Sequence, residues 1–355
     1  MGGCVHMTIH AAVSVPQTEP VPLASLGRAG LMVPRFGLGA APLGGLYTSV
    51  GEQQAHDALD AAWAAGVRYF DTAPHYGAGL SERRTGAFLA GKPAADWVLS
   101  TKVGRQLAPS GGPQATMFAG EPPTRRSFDF SRDGILRSLA DSLERLGTDR
   151  VDVLLLHDPD QHWRQAIDEG WPVLAELRDQ GVVRSIGAGM NQTAMLTRFV
   201  RETDMDVVLL AGRYTLLDQS ALDDLLPACV ERSTSVVVGG AYNSGVLADP
   251  RPGSMFDYRP ASPQVLARAR RAQEVCARYD VPLAAAAVQL PGAHPAVATV
   301  LLGTRDAHEA KENARLGQLP IDPGLWQDLK SEGLLREDTP VPTAGTADNA
   351  GVPCT

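Results

Sequence analysis

The sequence lacks most of what would mark a secreted, membrane-bound or nucleic-acid-binding protein. Cysteine is scarce: Cys4, Cys229, Cys276 and Cys354 lie scattered along 355 residues. No pair has metal-ligand spacing, so no metal is expected, and free thiols in a reducing cytoplasm are the expected state. No apolar run is long enough to span a bilayer, and the N-terminus shows no signal-peptide core. Met1-Gly2 suggests myristoylation, but the position where that motif needs Ser or Thr holds His6. Positive charge is not in excess either. The net charge is -8 and the isoelectric point is near 5.5, which argues against nucleic acid or an anionic membrane as the main partner. A small-molecule substrate remains; the oligomeric state stays open.

What is present is apolar bulk, 44% of the residues, enough for a large core. A length prior alone suggests about two domains, but α/β barrels run longer as one. The chain is organised around Phe70-Asp71-Thr72-Ala73-Pro74-His75-Tyr76-Gly77, where an apolar run breaks into a loop. That places a carboxylate at a strand tip and a phenol just beyond it. Lys102 ends the run Trp97–Thr101, and His157 ends the run Val151–Leu156. A single α/β barrel brings such strand ends to one rim.

Each of the four has an ordinary explanation on its own: Asp71 as a helix cap, Tyr76 as a packed aromatic, Lys102 as a solvated strand end, His157 as a core histidine. Together they form a chemical unit. A phenol, with a pKa of about 10, is a poor base near neutrality. A neighbouring ammonium lowers that pKa, and a carboxylate holds the ammonium in place. An imidazole orients a substrate oxygen. The set moves a proton on and off an alcohol while a hydride moves elsewhere.

Asp71-Thr72-Ala73, Tyr76-Gly77, Ser81-Glu82, Thr101-Lys102 and Leu156-His157 resemble the aldo-keto reductases, over roughly Leu26 to Leu316. The resemblance implies a single-domain (β/α)8 TIM barrel and a nicotinamide cofactor, NAD or NADP. It implies Tyr76 as the proton-transfer residue, Lys102 and Asp71 as its tuners, and His157 as the orienter. A non-catalytic cofactor-binding subunit, as in channel-associated members, and a carbonyl reductase are the competing readings.

The remaining pattern fits a barrel of alternating strands and helices. Residues 1–20 read as a tail, 21–335 as the barrel, and 336–355 as a flexible tail. Helices are expected over Glu52–Ala65, Ser81–Leu89, Arg132–Leu146, Trp163–Asp179, Thr193–Arg201, Gln219–Glu231, Ser262–Tyr279 and Leu283–Leu290, with one more through Leu316. A further C-terminal helix, about Asp322–Leu334, lies outside the barrel count. The stretch 103–129 reads as a long irregular loop leaving the catalytic rim. Met117, Phe118 and Phe128 are expected to wall the substrate there.

The resemblance places the cofactor along Gly39-Ala40, Asn191, Gly303-Thr304-Arg305 and Glu309 with Glu312-Asn313. The loop Tyr242-Asn243-Ser244-Gly245 is added for its small residues, whose free backbone N–H groups suit a diphosphate. Three family positions depart. The usual Ser-Asn reads Gly189-Met190, with Asn191 and Gln192 beyond; the usual Gln falls at Ala211; the stacking aromatic falls at Gly239, leaving Tyr242 or Tyr214 to compensate. Gly187–Gln192, His157-Asp158-Pro159-Asp160 and Tyr242–Gly245 resemble the aldose-oxidising branch, with L-fucose or D-threo-aldose 1-dehydrogenases, L-galactose dehydrogenases and the related pyridoxal 4-dehydrogenase. Glu309 stands where a basic residue commonly grips the NADP phosphate, so NAD is expected, with Asp306 nearby; Arg305 and Lys311 weigh the other way. Asp306 and Glu309 also suit a helix N-terminus through its dipole.

Overall fold

Eight apolar runs become the parallel strands of one closed barrel in the computed structural model, which describes residues 22–110 and 116–343. In chain order they are Phe36–Gly39, Tyr69–Asp71, Val98–Val103, Val153–His157, Ser185–Met190, Val207–Ala211, Ser235–Gly239 and Val297–Gly303. Each pairs with its sequence neighbour, and the last pairs with the first (Gly303 beside Gly39). Several strands are buried along their whole length. That is the mark of a parallel sheet covered on the outside by helices and filled inside by side chains.

The helices follow the sequence signals. Arg132–Leu146 begins where Ser131 Oγ accepts the Gly134 N–H and ends at Gly147, whose φ of 64° suits glycine. Two expected helices differ in detail. Trp163–Asp179 runs through with a π-helical turn at Ala166–Gly170. The expected Gln219–Glu231 divides into Ser220–Leu222 and Leu225–Arg232.

Three features lie outside the sequence expectation. An antiparallel pair, Leu23–Leu26 with Leu31–Pro34, precedes the barrel. Its Leu26, Leu31 and Val33 pack with Tyr69, Val98, Val153 and Val237, filling the barrel interior from its N-terminal end. The stretch expected to be irregular carries a second ribbon, Arg105–Pro109 paired with Thr124–Phe128. The chain beyond Arg336, expected as a flexible tail, packs on the body as far as it is described: Arg336 pairs with Asp223 and Asp338, and Thr339 is 1% exposed. Residues 1–20 lie outside the described residues. Among the described residues no helix is long and apolar enough to cross a membrane.

Candidate active site

The barrel delivers Asp71, Lys102 and His157 from three successive strands and Tyr76 from the loop after the second, all at the C-terminal rim. The Lys102 ammonium donates to Asp71 Oδ2 at 2.7 Å, to the Thr72 carbonyl at 2.9 Å and to the Tyr76 hydroxyl at 3.1 Å. Asp71 Oδ1 accepts from Ser100 Oγ at 2.7 Å, and that hydroxyl accepts from Tyr69 at 3.0 Å. Both carboxylate oxygens are thus fixed, and the ammonium has its partners in a shell where Lys102 is 1% exposed. A buried charge needs that pairing to persist. The His157 ring stands edge-on to Tyr76, centroids 5.9 Å apart.

Burial and charge act on the site in opposed directions. Burial pushes the Tyr76 phenol up; the Lys102 charge pulls it down, and the net direction is up. The Lys102 ammonium does pull the phenol down as expected, but in the protein by itself desolvation outweighs that single neighbouring charge. Burial also opposes the Lys102 charge, but Asp71 and Tyr76 outweigh it and hold the group above its ordinary value. His157 is driven well below the usual histidine range by burial, then by Arg105 and Lys102, so it is neutral. His75, from the catalytic loop, is pushed down to about 3 by burial and by Arg105 and Arg126.

A wall closes over these groups. Phe118 is 4% exposed and packs on His75 and Tyr76. Phe128, itself exposed at its outer side, stacks against Phe130 and lies under the Arg105 guanidinium. Met117, also expected in the wall, is exposed. Sequence reasoning did not assign roles to Arg105, Arg126 or Asp158. Arg105 pairs with Asp158, the residue after His157, and Arg126 pairs with Glu121. The position of Asp158 beside His157 was the available signal; the arginines come from a ribbon whose pairing was not foreseen.

From Asp71 and Tyr76 a cleft of about 790 Å³ runs outward to Glu309, Glu312 and Asn313. Its size suits a dinucleotide-scale ligand. Gly39, Gly239, Gly240, Gly245 and Gly303 are among the residues that border it. A Cβ on Gly240 would sit 3.2 Å from the Gly212 nitrogen, and one on Gly303 3.0 Å from Pro42. These residues fit a nicotinamide dinucleotide. Gly39, Tyr242, Asn243, Ser244, Gly245, Gly303, Arg305, Glu309, Glu312 and Asn313 all border the cleft.

Three expected contacts do not border it. Ala40 is fully buried; its N–H donates to the Asp71 carbonyl and its own carbonyl accepts from Ser81, so it braces the catalytic strand end. Thr304 turns inward, its hydroxyl donating to the Asp306 carbonyl. Asn191 follows the buried Met190 and is not among the residues that border the cleft. Tyr214 is fully buried and is no stacking residue. The loop 242–247 also differs from expectation. Asn243 N–H goes to the Gly240 carbonyl, and the Gly245 and Leu247 N–H groups go to Tyr242, so the turn uses them itself. Asn243 braces it, accepting from Thr215 and donating to the Gly212 carbonyl. The Tyr242 hydroxyl donates to Asn313. Tyr47 and Tyr258, not singled out in the sequence, border the cleft. Tyr258 sits on a short ribbon, Met255–Phe256 with Arg259–Pro260, held by Arg213 on Asp257.

Comparison with known proteins agrees with this geometry. Residues 35–331 match the aldo/keto reductase family. The chain is 42% identical over 327 residues to a D-threo-aldose 1-dehydrogenase from Pseudomonas sp, covering 90% of this chain and 98% of the relative. It is 40% identical over 333 residues to a pyridoxal 4-dehydrogenase from Microbacterium luteolum, covering 88% and 97%. Among solved structures, a holo-form aldo-keto reductase from Bacillus halodurans superposes with a TM-score of 0.70 at 26% identity, covering 88% of this chain and 96% of that one.

Proposed function

The chain belongs to the aldo/keto reductase family, an oxidoreductase working with a nicotinamide cofactor, and from that premise we propose that it oxidises the anomeric carbinol of an aldose to the lactone, with NAD preferred. The observation that carries the reading is the 3.1 Å contact between the Lys102 ammonium and the Tyr76 hydroxyl, beside a neutral His157. An aldose in water closes to a cyclic hemiacetal, whose C1 bears both a hydroxyl and a hydrogen. Tyr76, as phenolate, accepts the hydroxyl proton, and the C1–H bond breaks with its electron pair to leave the lactone carbonyl. When bound, the nicotinamide supplies the hydride acceptor. Lys102 stabilises the phenolate, Asp71 anchors Lys102, and His157 hydrogen-bonds the carbinol oxygen and orients it. Phe118 keeps bulk water from the phenol.

Pyridoxal is the second reading, supported by the 40% identity to the pyridoxal 4-dehydrogenase. Pyridoxal also closes to an internal hemiacetal, so the same residues serve it. Reduced-nicotinamide absorbance with L-fucose, other aldoses, pyridoxal and simple aldehydes separates the cases. Turnover of aldoses above the rest is the expected result. Turnover of pyridoxal alone, or only aldehyde reduction, overturns the aldose reading.

The preference for NAD rests on the end of the cleft. Glu309 borders it and accepts from the Arg305 backbone N–H at 2.8 Å and from its Nε at 2.9 Å. Arg305 is thereby held by a carboxylate, and Lys311 does not border the cleft. Asp306 is the helix cap, accepting the Glu309 N–H. A carboxylate at this place repels a 2′-phosphate and accepts from a free ribose hydroxyl. Glu309→Arg removes the repulsion and releases Arg305, so kcat/KM with NADP is expected to rise at least about tenfold, the equivalent of one charge-assisted hydrogen bond. A wild type that prefers NADP, or a variant with no gain, refutes the assignment.

A further inference from the structure

His157 and Tyr76 frame the place of the reacting carbinol oxygen, and the Asp158 carboxylate stands beside them, its Oδ2 3.6 Å from His157 Nε2. That carboxylate is held from the other side by Arg105. Arg105 lies over the Phe128 ring, its Cζ 4.9 Å from the centroid, so the guanidinium is fixed by packing as well as by charge. The backbone places Asp158 with equal care. Its φ is 45°, in the left-handed region, and its N–H donates to the Gly189 carbonyl at 3.0 Å. Asp and Asn are the non-glycine residues that adopt this region most readily, so the residue type suits the backbone that aims the carboxylate.

Unused hydrogen-bonding capacity surrounds this pair. Arg105 Nε and the Nδ1 atoms of His75 and His157 are buried and have no hydrogen-bond partner among the described residues. Buried polar atoms are ordinarily satisfied, so a cluster of open ones beside a catalytic phenol calls for a ligand bearing several hydroxyls. The two cations of the wall are each matched by a carboxylate, Arg105 by Asp158 and Arg126 by Glu121. That balance suits a neutral polyol and not an anion.

We propose that the Arg105–Asp158 pair is the specificity clamp of the substrate site, reading the hydroxyl on the carbon next to the one that is oxidised. The inference rests on the aldose reading above and deepens it. With the C1 oxygen between Tyr76 and His157, a vicinal hydroxyl reaches Asp158, donating to its carboxylate and accepting from Arg105. Such charge-assisted hydrogen bonds are strong, and a site built to pair a hydroxyl rejects the analogue that lacks it. The clamp's substrates are therefore 2-hydroxy aldoses and not their 2-deoxy counterparts.

The test compares L-fucose with 2-deoxy-L-fucose under saturating NAD in wild type, Asp158→Asn and Arg105→Met. Asn tolerates the left-handed backbone that Asp158 adopts, and fluorescence titration with NAD checks that each variant is folded. In the wild type kcat/KM favours L-fucose by roughly 10- to 100-fold, the worth of a hydrogen bond to a charged group. In both variants that ratio collapses toward unity, chiefly through KM for L-fucose. Equal losses for the two sugars, or a preserved ratio, overturn the clamp and leave the aldose reading standing. Wild-type turnover of neither sugar overturns the aldose reading and the clamp with it.

Discussion

At Tyr76 two forces compete for one proton. Desolvation favours the neutral phenol and the Lys102 charge favours the phenolate, with desolvation the larger. Oxidation needs the phenolate as proton acceptor, so kcat/KM should climb with pH and show no plateau between about pH 7 and 9, below the ordinary phenol value. Lys102→Met removes the force that lowers the pKa; the rising limb should shift upward and the rate near neutrality fall by about 10²-fold or more. Tyr76→Phe should lose about 10²- to 10⁴-fold in kcat while NAD affinity holds. A flat profile in the wild type, or an unmoved limb in an active Lys102→Met, contradicts the assignment. The four residues were legible in the sequence because each follows an apolar run that only a barrel rim can gather. The direction of the phenol's shift was not legible, since the desolvating Phe118 arrives from a segment some forty residues away whose pairing leaves no sequence pattern.

One close backbone approach decides where Tyr76 stands. Gly77 has a φ of 61°, and a Cβ on it would lie 2.1 Å from the Gly44 carbonyl oxygen. Gly44 in turn offers a Cβ position 2.7 Å from the Tyr76 carbonyl carbon. The loop after the first barrel strand and the catalytic loop therefore meet main chain to main chain. Gly77→Ala should destabilise the fold by about 1–3 kcal/mol, a strained φ plus a forced shift, and cut kcat/KM by more than that loss of folded protein explains. Gly181→Ala is the control: its φ is 73°, with no atom of the described residues within 4 Å of the added Cβ. It should show only the left-handed penalty, about 1–2 kcal/mol, with kcat/KM unchanged. Equal effects of the two variants on activity would refute the role of the close approach. At this scale the sequence read well where caps are local, as at Ser131 and Gly147, and poorly where pairing is not. The ribbon Arg105–Pro109 with Thr124–Phe128 joins strands fifteen residues apart across a Pro- and Gly-rich stretch, and its strands are half-exposed, without the alternation that marks a covered face.

For the molecule as a whole, the barrel was legible because eight buried runs recur between amphipathic helices. Its two closures were not: the ribbon plugging one end and the segment through Thr339 draw their burial from partners far along the chain. Burial on this scale also sets the response to acid. His75 and His294 are pushed down to about 3 and about 4, and His157 well below its ordinary value, in each case by burial first. A free histidine titrates near about 6.5. With folded values lower than unfolded ones, the unfolded chain binds more protons, so the stability these groups contribute is complete above about pH 6.5 and is lost as pH falls toward the folded values. Each group costs about 1.4 kcal/mol per pH unit in that window. Three acting together remove on the order of a few kcal/mol across that window, a sizeable part of a total of about 5–15 kcal/mol. Asp152 and Asp158, whose carboxyls are raised by burial, oppose part of this loss as pH falls through their raised values. Tm should therefore be level above about pH 7 and fall steeply between about pH 6.5 and 5. His294 lies outside the active site, its Nδ1 accepting the Ala296 N–H at 3.2 Å and its ring edge-on to Tyr214. His294→Gln should remove about one third of the slope and leave kcat at neutral pH intact. Tm profiles of the two proteins measured side by side decide it: parallel curves through the acid range would show that buried histidines do not govern the transition.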